Sequence, residues 1–199
     1  GLPSAPGADS PAAGELDDLR RFIAMAEGVA RDSKAETLLA QLPVVLDGAT
    51  ARGARRKAVI FTESRKTQAY LAELLSDHGF RGQVVLLNGT NTDASSRQIY
   101  TAYKARHQAR WDQVSSGSKT ADMKAAIVEE FESDRGTILL ATESAAEGVN
   151  LQFCSVVVNY DLPWNPQRIE QRIGRCHRYG QRADVVAVNF LNTSNQADV

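Results

Sequence analysis

The sequence predicts a three-layer α/β fold, in which a mainly parallel sheet lies between two layers of helices, with a helical extension before it and a helical insertion within it. Three observations carry that expectation. From Lys57 onward, short β-branched apolar runs alternate with amphipathic helical stretches, the order that builds parallel sheets. The runs are apolar at nearly every position, not at every second one, which suits strands covered on both faces. The chain has 199 residues, 43% hydrophobic and 24% charged, enough to bury a core without staples.

The elements follow in chain order. Residues 1–14, GLPSAPGADSPAAG, hold too little apolar surface to fold and read as a disordered linker or an expression remnant. Residues 15–56 read as a helical extension and loop. Leu16, Leu19 and Ile23 share one periodic stretch, and Leu38, Leu39 and Leu42 the next. The second helix opens at Asp32 or Ser33, either a good N-cap, and DGATARGARR (47–56) is a loop. Residues 57–199 form the main domain, with strands at AVIFT (58–62), VVLLNG (84–89), TILLAT (137–142), SVVVNY (155–160) and VVAVNFL (185–191).

An insertion over about 91–123 interrupts it. There Arg97, Lys104, Arg106, Arg110 and Lys119 mix with Tyr100, Tyr103 and Trp111. Two readings stay open: a basic and aromatic surface for nucleic acid or a docking partner, or a helical hairpin whose aromatics pack on the domain. The SSGSKT end of the insertion reads as mobile.

Bulk properties exclude several classes. A net charge of -1 and a pI near 6.4 rule out a uniformly basic coat, so anion binding must be local. Cys154 and Cys176, with no C-x-x-C spacing, suggest neither a disulfide framework nor a zinc site, and a cytoplasmic, reducing compartment fits best. No apolar run reaches membrane-spanning length and no leader pattern opens the chain, so no membrane partner is expected.

In parallel sheets, function collects in loops at the carboxyl ends of strands. That singles out TES (62–64), NGTN (88–91), TESAAEGVN (142–150) and DLPWNP (161–166). The next stretch, QRIEQRIGRCHRYGQ (167–181), carries four arginines, no lysine and one carboxylate. Asn165 is a preferred N-cap and Pro166 a preferred first helical residue. On a helix that reaches far enough, Arg168, Gln171, Arg172, Arg175 and Arg178 share an arc of roughly 120°, with Ile169, Ile173 and Cys176 on a separate arc facing the sheet. A basic run is commonly a solvated face. Here every cation is an arginine, whose planar fork suits phosphate, and within the stretch only Glu170 is available to compensate.

QRIGRCHRYGQ resembles motif VI of superfamily 2 helicases and translocases, DEAD/DEAH-related proteins, in the form used by the Swi/Snf-like group. ATESAAEGVNL (141–151) resembles that group's motif V, NYDLPWNPQ (159–167) the segment joining the two, AVIFTES motif IV, and LLNGTN the strand after it. The resemblance runs in order from about Lys57 to Leu191. It implies the C-terminal RecA-like lobe of a two-lobed motor with ATP in the cleft between lobes. On that resemblance Arg175 and Arg178 point at the triphosphate, Gln171 positions it, and Gly148 and Asn150 line the ATP site. Thr62, Ser64, Gly89, Thr90, Thr142 and Ser144 match positions that grip nucleic-acid phosphates through hydroxyls and backbone N–H groups, without reading bases.

The sequence contains neither a G-x-x-x-x-G-K-[ST] loop nor a D-E-x-H-like acidic box. The expectation is therefore half of an active site: a fragment, monomeric and inactive alone, whose partner is an N-terminal RecA-like lobe of the same parent. ATP and Mg2+ are implied for the full-length protein, with Mg2+ held by that other lobe. The implied substrate is double-stranded DNA, with RNA as a variant. The alternative is a non-catalytic α/β interaction module that kept the fold and lost the enzyme.

Overall fold

The computed structural model describes residues 11–177 and 184–190. They fall into two units, 1–38 and 39–199. Helix α1 (Pro11–Ala51) supplies the described part of the first unit and the opening of the second. It is continuous through Pro43. The start expected at Asp32 or Ser33 therefore lies inside it, residues 11–14 of the expected linker are helical, and the loop expected from 47 begins after Ala51. In the second unit Leu42, Leu46 and Ala49 are buried, the spacing of one helical face.

The second unit is built on five parallel strands, β1 (Ala58–Thr62), β2 (Val84–Leu87), β3 (Ile138–Thr142), β4 (Val156–Asn159) and β5 (Val186–Asn189), in the order β2-β3-β1-β4-β5. Each lies within the apolar run that announced it. Every residue of β1, β3 and β4 is buried, while the edge strands β2 and β5 alternate, as continuous and alternating patterning require.

Helices cover both faces. Val59, Phe61, Leu87, Leu139 and Val157 point into one core with Met123, Ile127 and Phe131 of α5 (Lys119–Glu132) and Cys176 of α7 (Pro166–Cys176). Leu71 and Leu75 of α2 (Arg65–Leu75) are buried as well, and Gln68 of the same helix donates to the carbonyls of Leu87 and Leu140 at 3.1 and 2.8 Å. The four-residue α6 (Glu143–Ala146) caps the end of β3. Among the described residues no helix is long and apolar enough to cross a membrane.

The insertion is a helical elbow. Helix α3 (Ala94–Arg106) and the short α4 (Trp111–Val114) meet at an aromatic cluster. Tyr103, 4% exposed, sits 6.1 Å from Trp111 and 4.6 Å from the His107 ring. Tyr100 lies 6.5 Å from Trp111, with the Lys104 ammonium 5.0 Å from the Tyr100 ring. The aromatics therefore pack on one another, while Arg97, Lys104, Arg106, Arg110 and Lys119 stay exposed.

The SSGSKT segment differs from expectation because Asp122 organises it. The buried carboxylate accepts from the Ser115 hydroxyl at 2.6 Å and from the Ser116 N–H and hydroxyl, both at 2.7 Å. Ser118 caps α5. The Ser115 hydroxyl first, then the Ser116 N–H, hold the Asp122 carboxyl below its ordinary value of 3.8. A depressed folded value means that the contribution is present above about 3.8 and is lost as pH falls through the lower folded value. Asp122→Asn is expected to open the 115–118 turn to limited proteolysis at neutral pH, where wild type resists. Equal cleavage rates would show that something other than Asp122 holds the turn.

Candidate functional site

Strand register brings the expected loops to one edge. Thr62 lies beside Thr142, Leu87 beside Ala141 and Phe61 beside Asn159, so Asn88, Thr142, Thr62 and Tyr160 form a row at the carboxyl ends of the strands. The six positions matched to phosphate contacts sit on this row or within two residues past it.

At β2 the NGTN turn is built from within. Asn88 Oδ1 accepts from the N–H of Thr90 at 3.1 Å and of Asn91 at 2.8 Å, and from the Thr90 hydroxyl at 3.1 Å. Asn91 returns the contact, its Oδ1 accepting from the Asn88 N–H at 2.7 Å, with its own φ at 46°. Asn88 Nδ2 donates to Gln68 Oε1 at 3.1 Å. Two buried asparagines and a buried glutamine thus shape the turn that leaves Gly89 and Thr90 exposed.

At β1 and β3 the hydroxyls divide. Thr62 is fully buried and donates to Asp161 Oδ2 at 2.8 Å, which also accepts from the Glu63 N–H at 3.0 Å; its hydroxyl anchors the loop after β4. Ser64 is exposed and caps α2, accepting from the Thr67 N–H at 3.0 Å. Thr142 is buried at 6% exposure and precedes α6, where Ser144 is exposed in the first turn.

Helix α7 begins as its sequence dictates: Asn165 Oδ1 accepts from the Gln167 N–H at 3.0 Å, with Pro166 first in the helix. Its cations do not form one solvated face. Arg168 is exposed, Arg175 half-buried and Arg172 only 3% exposed. The Arg172 guanidinium donates to Asn159 Oδ1 at 2.8 Å, the Asp161 carbonyl at 3.0 Å and Glu143 Oε2 at 2.6 Å, and lies 4.9 Å from the Phe61 ring centre. Its Nε is buried without a partner. Glu143 also lies 3.7 Å from Arg168. Among the described residues, the carboxylate that meets this run is Glu143, just after β3, at Arg172 and Arg168.

Gln171 and Arg175 line a small open cleft with Glu143, Ala146, Glu147 and Arg168. The Arg175 carbonyl accepts from the Leu151 N–H at 3.0 Å, tying the end of GVNL to the end of α7. Gly148 has φ at 75°, a conformation that costs side-chain-bearing residues, so the turn itself demands glycine. Asn150 is exposed and its Oδ1 accepts from the Gln152 N–H at 3.1 Å. The helix ends at Cys176 with His177 extended. Arg178 lies outside the described residues.

Sequence reading missed Arg172, Glu143, Asn159 and Asp161 as a group, and also the contact between the cysteines. Cys154 and Cys176 are buried and free. A hydrogen bond with Cys154, and burial after it, push the Cys176 thiol far above its ordinary range, the mark of inert packing. Among the described residues no group of three or more His, Cys, Asp or Glu is placed to hold a metal.

The chain is similar to known proteins. Residues 110–180 match the family described as helicase conserved C-terminal domain. The chain is 37% identical over 134 residues to an uncharacterized ATP-dependent helicase, YqhH, of Bacillus subtilis, covering 67% of this chain and 18% of that protein. It is 48% identical over 65 residues to the RNA polymerase-associated protein RapA of Sodalis glossinidius, covering 32% of this chain and 7% of that protein. The chain thus spans less than a fifth of either relative. Among solved structures, Saccharomyces cerevisiae Dbp5 bound to RNA and ADP BeF3 matches 83% of this chain and 33% of its own at a TM-score of 0.54 and 23% identity, a likeness of fold.

Proposed function

The chain carries a helicase C-terminal domain, with the sheet and helices of a RecA-like lobe, and on that premise we propose that it is the second motor lobe of an ATP-dependent nucleic-acid translocase or helicase. One observation carries the reading. Gln171 and Arg175 open together into the cleft beside the loop after β3, and among the described residues no carboxylate pairs with Arg175. A half-buried guanidinium with no ion-pair partner among the described residues, in a strand-end cleft that Glu143 and Glu147 also line, is suited to charge developing on a transferring phosphoryl group. Arg178, two residues past the end of α7, completes the arginine pair in this proposal, and Gly148 and Asn150 border the same ATP site.

The remaining chemistry belongs to the other half. The phosphate-cradling loop and the carboxylates for Mg2+ are assigned to an N-terminal lobe of the same parent chain. Nucleic acid, double-stranded DNA with RNA as the variant, crosses the row of strand ends. Exposed Ser64, Gly89, Thr90 and Ser144 contact its phosphates, buried Thr62 holds the loop after β4 through Asp161, and Thr142 lies buried at the end of β3. Such contacts are independent of base sequence and weaken with salt. An intracellular setting follows from that substrate.

The test is ATP turnover, with and without nucleic acid, by the two-lobed parent and by this 199-residue chain. The parent is expected to turn over ATP faster when nucleic acid is added, and the isolated chain to show no turnover. Turnover by the isolated chain would overturn the split site. A parent that binds nucleic acid yet never hydrolyses ATP would favour the alternative, a non-catalytic interaction module on the same fold.

A further inference from the structure

Arg172 is an expensive residue for a purely structural role. A guanidinium at 3% exposure gives up its hydration, and its buried Nε finds no acceptor. Burying an ion pair seldom improves on well-packed apolar side chains, so the arrangement calls for another explanation. The partners supply one. The Glu143 carboxylate follows β3 directly, Asn159 ends β4, the Asp161 carbonyl follows it, and the Phe61 ring comes from β1. One side chain is thereby referenced to three adjacent strands.

Arg172 also sits next to Gln171 and less than one turn before Arg175 on the same helix. Side-chain direction advances by about 100° per residue, so fixing the helix at Arg172 fixes where both of its neighbours point. Arg168, the other cation near Glu143, is exposed and 3.7 Å away, too loosely held to do this.

We propose that Arg172 is a positioning residue: clamped by Glu143, Asn159 and the Asp161 carbonyl, it sets the rotation of α7 so that Gln171 and Arg175 face the cleft together. The proposal rests on the motor reading above for what the cleft does. The lock itself rests on the hydrogen bonds. Glu143 is adjacent to Ser144 and Thr142, so the same ion pair also sets the loop after β3 against the arginine helix.

The experiment uses the full-length parent with Glu143→Gln, Arg172→Lys, Arg172→Met and the Glu143→Gln/Arg172→Met double variant, each assayed at a temperature where its melting curve shows it folded. Misplacing a group by an ångström costs as much as about 100-fold in rate. Glu143→Gln and Arg172→Met are therefore each expected to lower kcat by about 10- to 100-fold while KM for ATP stays within about threefold. Lysine lacks the planar fork that spans Glu143, Asn159 and the Asp161 carbonyl and is expected to restore only part of the loss. Because the two side chains act as a unit, the double variant is expected to be no worse than the worse single.

A second readout is independent of turnover. In hydrogen exchange, Glu143→Gln is expected to speed exchange of the α7 amides around Gln171–Cys176 while the β1 and β3 amides keep their protection. Normal kcat in both Glu143→Gln and Arg172→Lys, or fully additive losses, would overturn the lock, as would unchanged α7 protection. A wild-type parent that hydrolyses no ATP would instead overturn the motor reading, and the exchange measurement would still decide the lock.

Discussion

Arg175→Ala in the two-lobed parent is expected to lower ATP turnover on the order of 10³-fold, by analogy with finger arginines in other phosphoryl-transfer enzymes. Arg175 lines the cleft half-buried, and its own carbonyl holds the Leu151 N–H. Removing the side chain therefore leaves the helix and its backbone tie in place. The loss is expected in kcat, with nucleic-acid binding and the melting temperature nearly unchanged. Arg178→Ala is expected to act in the same way. Lysine at either position is expected to rescue poorly, because an ammonium lacks the planar fork. Arg168→Ala serves as the comparison: the side chain borders the same cleft but is exposed and its carboxylate contact is 3.7 Å long, so its loss of turnover is expected to be well below that of Arg175→Ala. Steady-state rates for these variants, each checked by thermal melt, decide the matter. Normal turnover in both Arg175→Ala and Arg178→Ala would end the motor assignment for this helix.

The second large effect is on stability and lies at the opposite end of the sheet. Lys57 is 5% exposed. Its ammonium donates to the carbonyls of Phe131 and Ser133 at 2.7 Å and of Gly136 at 2.5 Å, and lies 5.5 Å from the Phe131 ring centre. The carbonyls at the C-terminal end of α5 have no helical partner, and one lysine from the residue before β1 takes them. The turn they form is tight, because a Cβ on Gly136 would approach the Phe131 Cα to 2.7 Å. Lys57→Met keeps the apolar stem and removes the charge, so the Phe131 and Gly136 carbonyls lose the ammonium donor, while the Ser133 carbonyl keeps only the Gly136 N–H at 3.3 Å. At about 1–3 kcal/mol for a buried unsatisfied group, discounted for partial hydration of the turn, a loss of about 2–4 kcal/mol is expected. Denaturant unfolding of this chain measures it as a lower midpoint at constant slope. Arg55→Met is the control: its ion pair with Glu132 is about half exposed on each side, and such pairs contribute roughly 0–1 kcal/mol. A Lys57→Met loss no larger than that of Arg55→Met would show that water satisfies the three carbonyls.

Much of the architecture was legible before any coordinates. AVIFT, ILLAT and VVVN each announced a strand because burial on both faces leaves no place for polar alternation. Asn165–Pro166 announced the start of α7 because one satisfies an orphan N–H and the other lacks one. Gly148 was legible as a turn, and its φ of 75° is the reason. The extension was misjudged because Asp32 and Ser33, good caps in isolation, are also tolerated inside a helix that continues through them. The 115–118 turn was read as mobile from its Ser and Gly content, and Asp122, several residues away in sequence, holds it by hydrogen bonds.

By itself, the sequence determined the parallel sheet, the edge that carries the loops and the helix that carries the arginines, because those follow from local periodicity and capping. Tertiary structure alone decided which arginine is buried and which faces the cleft. Arg168, Arg172 and Arg175 share an arc, and nothing in helical spacing distinguishes them. The difference comes from Asn159 and Glu143, 13 and 29 residues away in sequence, and Lys57 meets carbonyls more than 70 residues away. A buried cation is placed by the acceptors that replace its water, and those arrive only when distant strand ends are brought side by side.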